Sequence, residues 1–124
     1  MNTEAHLFDY LKEIIPDLEK SKDQFSSWDC SSKLLEARIE LKCRRTHYDE
    51  LLIEEMKFDK LMEYNNPLYI NSTPKGIYLW KLDEQDIEWS ERPLPKTTDF
   101  DRTENVKKKV GYLKVENAFV LQIF

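Results

Sequence analysis

The sequence predicts an α/β protein in which a mixed β-sheet is flanked by helices. Residues 35–43 alternate strictly between apolar and charged side chains, which is the period of a strand with one buried face. Residues 3–15 carry apolar side chains at helical spacing, and residues 68–82 contain two apolar runs separated by a turn. A chain that alternates helix, strands, helix and strands is typical of a sheet that carries helices.

The composition limits the class of protein. The chain has 124 residues, so we expect residues 1–124 to form one domain. It contains no apolar run long enough to cross a bilayer and no basic segment leading into one, which predicts a soluble, cytoplasmic protein. The two cysteines and two histidines have no zinc-site spacing, and we expect free thiols. The net charge of −5 argues against non-specific coating of nucleic acid.

The first element is a predicted helix. Thr3 can cap it, its apolar stripe reaches about Ile15, and Pro16 ends it. Glu4 lies at the edge of the buried stripe. It is either an ordinary first-turn acid favoured by the helix dipole or part of a site.

The next predicted element is a partly buried strand within residues 22–33, marked by Phe25, Trp28 and Cys30. Asp29 lies in its middle. Because aspartate is depleted from strand interiors, it requires a local hydrogen bond, a bulge or a metal to explain it.

The alternating segment from Leu35 to Cys43 is the strand on which the functional prediction depends. Its charged face carries Glu36, Arg38, Glu40 and Lys42, and an acid and an amine two residues apart stand side by side on a strand. Such a pair can hold a divalent cation and stabilise a reacting phosphate. A charged outer strand face is also commonly just a solvated face. Whether Glu40 and Lys42 form a site therefore depends on the residues that surround them.

The register of the hairpin that these two strands would form remains open. A turn near Ser32-Lys33 places Asp29 about 13 Å from Glu40, at ~3.3 Å per residue. A turn near Leu34-Leu35, or a bulge, brings the two carboxylates together. The sequence has no Asn-Gly or Asp-Gly to fix the turn.

A second helix is predicted to begin at Leu51 or Glu54 and to end at Tyr64, before the Asn65-Asn66-Pro67 stop. Lys57 lies on its flank, where a lysine is usually solvated. The core side is expected to contain Ile53, Met56, Phe58, Leu61 and Met62.

The remainder is predicted to be strands. Residues 68–71 and 77–82 suggest a hairpin, residues 87–89 an edge strand, and residues 111–115 with 118–123 a closing strand pair. Two prolines exclude residues 92–95 from a central strand. Residues 96–108 are expected to form a polar connection.

The order of an early helix acid (Glu4), a strand aspartate (Asp29) and Ile39-Glu40-Leu41-Lys42-Cys43-Arg44 resembles the PD-(D/E)XK, or restriction-endonuclease-like, nuclease superfamily and its resolvase branch. The resemblance covers about residues 3–82 and leaves residues 83–124 as a C-terminal β extension. Trp28 stands where the family has proline, and the strand expected before Asp29 is not evident in residues 17–23. If Asp23 were the family's aspartate, the metal ligands would change.

The resemblance implies a nuclease acting on DNA. Asp29 and Glu40 would bind Mg²⁺ or Mn²⁺, Lys42 would orient the attacking water, and Glu4 would match the helix acid of some branches. A chain of this size would engage duplex DNA as a homodimer or with a partner protein. The DNA backbone would be held by the basic side chains Arg38, Arg44, Arg45 and Lys57.

Two alternatives follow from the same residues. In one, the charged strand face is only solvated, and Tyr78, Trp80 and Trp89 form the surface of a non-enzymatic protein-interaction module. In the other, a nuclease-like fold binds nucleic acid without metal. Convergence of Asp29 and Glu40 is required only by the nuclease hypothesis.

Overall fold

The computed structural model describes residues 3–23, 26–95 and 105–124, and the side chain of Asn105 is outside this description. Two helices and nine strands are defined within these residues. No helix among them is long and apolar enough to span a membrane. In chain order the elements are α1 (Glu4–Ile14), β1 (Glu19–Lys20), β2 (Cys30–Ser32), β3 (Ala37–Cys43), β4 (Glu50–Glu54), α2 (Glu55–Leu61), β5 (Pro67–Thr73), β6 (Gly76–Lys81), β7 (Ser90–Pro95), β8 (Asn105–Lys114) and β9 (Phe119–Ile123).

The strands form two sheets. The larger has six strands in the order β1-β2-β3-β5-β6-β9, and the smaller has three in the order β4-β8-β7. Strands β3 and β5 are parallel, and every other neighbouring pair is antiparallel. The predicted class, a mixed sheet flanked by helices, is confirmed.

One face of the six-stranded sheet packs against α1. The Thr3 hydroxyl caps this helix by accepting a hydrogen bond from the His6 amide at 3.1 Å. Its stripe, Leu7 and Leu11, is fully buried against Ile39 of β3. The predicted helix is therefore confirmed, with Leu7, Phe8 and Leu11 of its stripe buried, whereas Ile14 at its end is 50% exposed.

The other face of that sheet packs against the three-stranded sheet and α2. Tyr69 and Trp80 from the large sheet meet Ile53 and Leu113 from the small one, and Leu61 from α2 completes this second core. Strand β5 lies between the two cores, and all seven of its residues are buried. It is the central strand of the molecule.

Two predicted boundaries are wrong at their starts. Strand β3 begins at Ala37 because Glu36 has a left-handed φ of 52° in the preceding turn, so Leu35 is 46% exposed rather than buried. Residues 51–54 belong to β4, which excludes a helix start at Leu51. Helix α2 begins at Glu55, next to the alternative start at Glu54, and ends at Leu61 rather than Tyr64. Met56, which was expected in the core, is 71% exposed.

The predicted closing strand pair is also wrong. Strand β8 pairs with β4 and β7, whereas β9 pairs with β6 at the edge of the large sheet. Residues 87–89 are irregular, and the edge strand is β7, where Pro93 and Pro95 need no ladder partner on the open side. Part of the predicted polar connection lies in β8, and residues 96–104 are outside the described residues, as is Phe25.

Candidate active site

The β2–β3 hairpin adopts the register that brings the predicted carboxylates together. Ser32 pairs with Ala37 and Cys30 with Ile39, so the turn is centred between Leu34 and Leu35. Extending this register by one residue places Asp29 beside Glu40. The second of the two registers considered from sequence is therefore the correct one.

Asp17 explains how this turn forms without glycine. One carboxylate oxygen accepts from the Ser32 hydroxyl at 2.7 Å, and the other accepts from the Leu34 amide at 2.8 Å. These bonds, led by the one from Leu34, hold the pKa of Asp17 below its ordinary value. Asp17 thus ties the segment after α1 to the hairpin turn, which the sequence alone did not indicate.

Asp29 is fixed against β3 by its own backbone and side chain. Its amide donates to the Ile39 carbonyl at 2.9 Å, and its Oδ2 accepts from the Leu41 amide at 2.7 Å. A local hydrogen bond therefore accounts for an aspartate at this position.

Glu40 is the most strongly perturbed carboxyl group of the site. Its side chain is only 13% exposed, and its Oε2 lies 3.3 Å from Lys57 Nζ. Burial, followed by the charge of Asp29, raises its pKa to about 8, although Lys57 opposes the shift. A hydrogen bond to Asp29 also favours the protonated form. The hairpin pairing thus places Glu40 against a second carboxyl group, that of Asp29.

Glu4 joins the same electrostatic environment from the start of α1. Its pKa is raised, first because neighbouring atoms displace part of its water and then because Asp29 is close. Lys42 and Lys57 oppose this shift. We refer to Glu4, Asp29, Glu40, Lys42 and Lys57 as the acid–lysine cluster.

Two cavities border this cluster. Glu4, Asp29 and Leu41 line one of about 320 Å³, and Glu4 and Lys42 line another of about 640 Å³. Over the parts of the chain that are described, no three His, Cys, Asp or Glu side chains lie together as a metal site would require. Asp29 and Glu40 therefore offer a donor pair, and water, substrate or backbone oxygens would have to complete a coordination shell.

The predicted DNA-binding arginines differ in their surroundings. Arg38 lies over the rings of Trp28 and Tyr64, at 5.1 and 5.8 Å from their centroids, and its buried Nε has no hydrogen-bond partner. Arg45 is exposed. Arg44 instead turns inward and donates to protein acceptors.

The contacts of Arg44 form a polar network below the cluster. Its Nε donates to Asn71 Oδ1 at 2.9 Å, and its Nη2 donates to the Leu52 carbonyl and, at 3.3 Å, to the Tyr69 hydroxyl. The β3–β5 register sets Tyr69 beside Glu40 and Asn71 beside Lys42. Burial raises the pKa of Tyr69. Asn71 is fully buried. In the sequence, a polar residue directly after three apolar ones was the only sign of this network.

The aromatic surface of the protein-interaction alternative is not present. Trp80 is fully buried, Tyr78 is 4% exposed, and the Trp80 indole donates to the Lys114 carbonyl at 2.9 Å. Trp89 is partly buried and packs on Phe58, with 5.2 Å between ring centroids. These rings belong to the second core, so the prediction that they form a partner-binding surface is wrong.

The helix acid, the hairpin aspartate and the Glu40-x-Lys42 strand lie on a mixed α/β fold, and the predicted restriction-endonuclease-like fold is confirmed. Among solved structures, the chain is similar to Archaeoglobus fulgidus Hjc, a Holliday junction resolvase from an archaeal hyperthermophile. The TM-score is 0.59, the identity is 11%, and the match covers 96% of this chain and 93% of that one. No protein-family profile and no curated protein matches the sequence.

Proposed function

We propose that this protein is a divalent-metal-dependent nuclease that hydrolyses DNA phosphodiester bonds. The observation that carries the proposal is the pairing of Asp29 with a buried Glu40 on the strand that also bears Lys42. The fold is shared with a protein described as a Holliday junction resolvase, which supports DNA as the substrate.

Asp29 and Glu40 would hold Mg²⁺ or Mn²⁺. Carboxylate oxygens suit these hard cations, and two of them side by side in a half-buried place repel each other until a cation arrives. Burial, and then the charge of Asp29, raise the pKa of Glu40 to about 8. A bound cation would supply Lewis acidity to the scissile phosphate and would lower the pKa of a coordinated water.

The lysines would do the remaining work of the cluster. Lys42 is exposed and lies on the same face of β3 as Glu40, so its ammonium can reach both an attacking water and a phosphoryl oxygen. Lys57 is paired with Glu40, and a cation that replaces it there would leave its ammonium available for a neighbouring phosphate. Glu4, with its raised pKa, could accept or share a proton at the edge of the cluster.

The phosphate backbone would be held on both sides of the cluster. Arg38 is held over two rings and lines one groove with Lys57, so its guanidinium is positioned for a phosphate. Arg45 is exposed beside Lys42 in the cavity of about 640 Å³. We assign Arg44 mainly to positioning, because its hydrogen bonds join β3 to β5 and β4 in the interior.

Cleavage of both strands of a duplex would require a homodimer or a partner protein.

A cleavage assay tests the proposal. The wild type, Glu40→Gln and Lys42→Met are incubated with Mg²⁺ or Mn²⁺ and with single-stranded, duplex and four-way-junction DNA. The matched control is Glu13→Gln, an exposed glutamate on α1. We expect the wild type and the control to cleave, and each site variant to be slower by about 100-fold or more, the scale expected when a group that stabilises the transition state is removed.

Two outcomes would contradict the proposal. One is unchanged cleavage by Glu40→Gln and Lys42→Met proteins that circular dichroism shows to be folded. The other is a folded wild type that binds DNA but cleaves none of the three substrates with either metal. That result would leave the metal-free nucleic-acid-binding alternative as the better account.

A further inference from the structure

A groove of about 1210 Å³ lies between the chain that follows β3 and the outer face of the three-stranded sheet. It contains cationic and aromatic side chains from both walls. It shares Arg44 and Arg45 with the cavity that Glu4 and Lys42 line, so the groove adjoins that cavity of the acid–lysine cluster. Its exposed cationic and aromatic side chains are Arg45, Tyr48, Arg92, Tyr112 and Lys114.

Two tyrosine rings are exposed in this groove. Tyr48 is 64% exposed and Tyr112 is 37% exposed, in contrast to Tyr69 and Tyr78 in the core. Tyr112 faces outward because its neighbours in β8, Gly111 and Leu113, face the core. Both rings can therefore receive a planar ligand.

The Tyr112 hydroxyl contacts a cationic side chain of β7. Arg92 Nη1 donates to the Tyr112 hydroxyl at 2.7 Å, which holds a guanidinium at the hydroxyl edge of the ring. The two walls are also joined to each other, since the Val115 amide donates to the Asp49 carbonyl at 2.8 Å. The groove is thus a built feature with fixed walls.

The charge of the groove suits an anion. Four cations line it, Arg44, Arg45, Arg92 and Lys114, against the acids Asp49, Glu50 and Glu116. Within the described residues none of these cations forms a salt bridge. Their charge is therefore not neutralised by a contacting carboxylate.

We propose that this groove binds single-stranded nucleic acid, with bases stacked on Tyr48 and Tyr112 and phosphates contacted by Arg45, Arg92 and Lys114. Stacking on an exposed ring requires an unpaired base, because the bases of a duplex are already stacked on each other. Cations spaced along a groove provide the complementary contacts to the backbone. The position of this strand beside a cleaved phosphate rests on the proposed nuclease function, whereas the binding itself does not.

The test measures binding without cleavage. Fluorescence anisotropy in EDTA compares a labelled oligothymidylate with a duplex of equal length for the wild type, Tyr48→Ala and Tyr112→Ala. The matched controls are Tyr48→Phe and Tyr112→Phe, which keep the ring. We expect each alanine variant to weaken single-strand binding by about 5- to 100-fold, and each phenylalanine variant and all duplex binding to change by less than about threefold.

An Arg92→Gln variant tests the phosphate contact separately. It should weaken single-strand binding and reduce the salt dependence of the binding constant by about 0.7 in the log–log slope, the value for one phosphate of a single strand. If the log–log slope equals that of the wild type, Arg92 does not contact a phosphate.

The proposal is overturned if the folded alanine variants bind the oligothymidylate as the wild type does. It is also overturned if alanine and phenylalanine variants lose affinity equally, or if single-strand and duplex affinity fall together, since neither pattern reflects stacking. These outcomes are distinguishable from failure of the nuclease proposal. If the wild type cleaves DNA but the tyrosine variants bind as the wild type does, only the groove proposal is contradicted. If the tyrosine variants lose single-strand binding but the wild type cleaves nothing, only the nuclease proposal is contradicted.

Discussion

The two sheets of this protein differ in how they are assembled and in what they present. The candidate site lies on a hairpin of the six-stranded sheet, in which β2 and β3 are separated by one short turn. The three-stranded sheet joins residues 50–54 to residues 105–114. The six-stranded sheet presents half-buried carboxyl groups, whereas the three-stranded sheet presents an exposed tyrosine ring and cations. The chemistry is thus placed on a locally formed hairpin of the large sheet, and the groove on a sheet that distant segments complete.

This difference has an electrostatic consequence. Charges in the acid–lysine cluster are partly removed from water, so each changes the behaviour of its neighbours strongly. Charges in the groove are exposed and are screened by salt, with a Debye length of about 8 Å at physiological ionic strength. Changes in the cluster should therefore affect the chemical step, and changes in the groove should affect affinity and its dependence on salt.

The largest stability effect should come from core truncations on either side of the central strand. Ile39→Ala in the first core and Ile53→Ala in the second each remove a fully or almost fully buried side chain. We expect each to lower the free energy of unfolding by about 2–5 kcal/mol, as measured by urea denaturation. If residues 1–124 form one domain, both variants shift the same single transition.

The matched control for these truncations is Ile14→Ala, since Ile14 is 50% exposed at the end of α1. It should change the free energy of unfolding by less than about 1 kcal/mol. Two separate transitions, with each variant moving only one of them, would contradict the one-domain prediction. That result would also mean that the two sheets fold independently.

A smaller effect, specific to the candidate site, should come from Glu40→Gln in EDTA. The folded-state pKa of Glu40, about 8, lies above the ordinary value of 4.5, so the folded protein binds the extra proton between these pH values. Its stability should therefore fall as the pH rises from 5 to 8, because ionisation leaves a half-buried charge next to Asp29. At pH 8 we expect Glu40→Gln to be more stable than the wild type by about 2–4 kcal/mol, with the difference shrinking towards pH 5.

Urea denaturation at several pH values measures this effect, and Glu13→Gln is again the control. A wild type whose stability rises from pH 5 to pH 8 relative to Glu40→Gln would show that Glu40 is stabilised as a carboxylate. Such a result would contradict the repulsive pairing with Asp29 and would weaken the case for a metal ligand at Glu40.

The sequence predicted the local parts of this molecule well. Strict alternation identified β3 and its charged face, and the stripe ended by Pro16 identified α1. The sequence left the register of Asp29 open because it is fixed by Asp17, which is far from the turn in sequence and binds Ser32 and Leu34 through its side chain.

The sequence failed where structure depends on distant pairing. Strand β8 looked like half of a closing hairpin because residues 111–115 and 118–123 are adjacent and apolar. Its real partners are β4 and β7. The internal role of Arg44 could not be predicted either. A run of basic residues does not indicate which guanidinium turns inward, here to donate to the buried Asn71.

Calorimetric titration of the metal-free protein with Mn²⁺ at pH 7 tests the central claim most directly. Performed in two buffers of different ionisation enthalpy, it reports both binding and proton release. Because the pKa of Glu40 is about 8, we predict that one cation binds, that nearly one proton is released, and that both signals are lost in Glu40→Gln but kept in Glu13→Gln. A folded wild type that gives no binding heat, or that binds Mn²⁺ as tightly after Glu40→Gln, would contradict a metal site at Asp29 and Glu40.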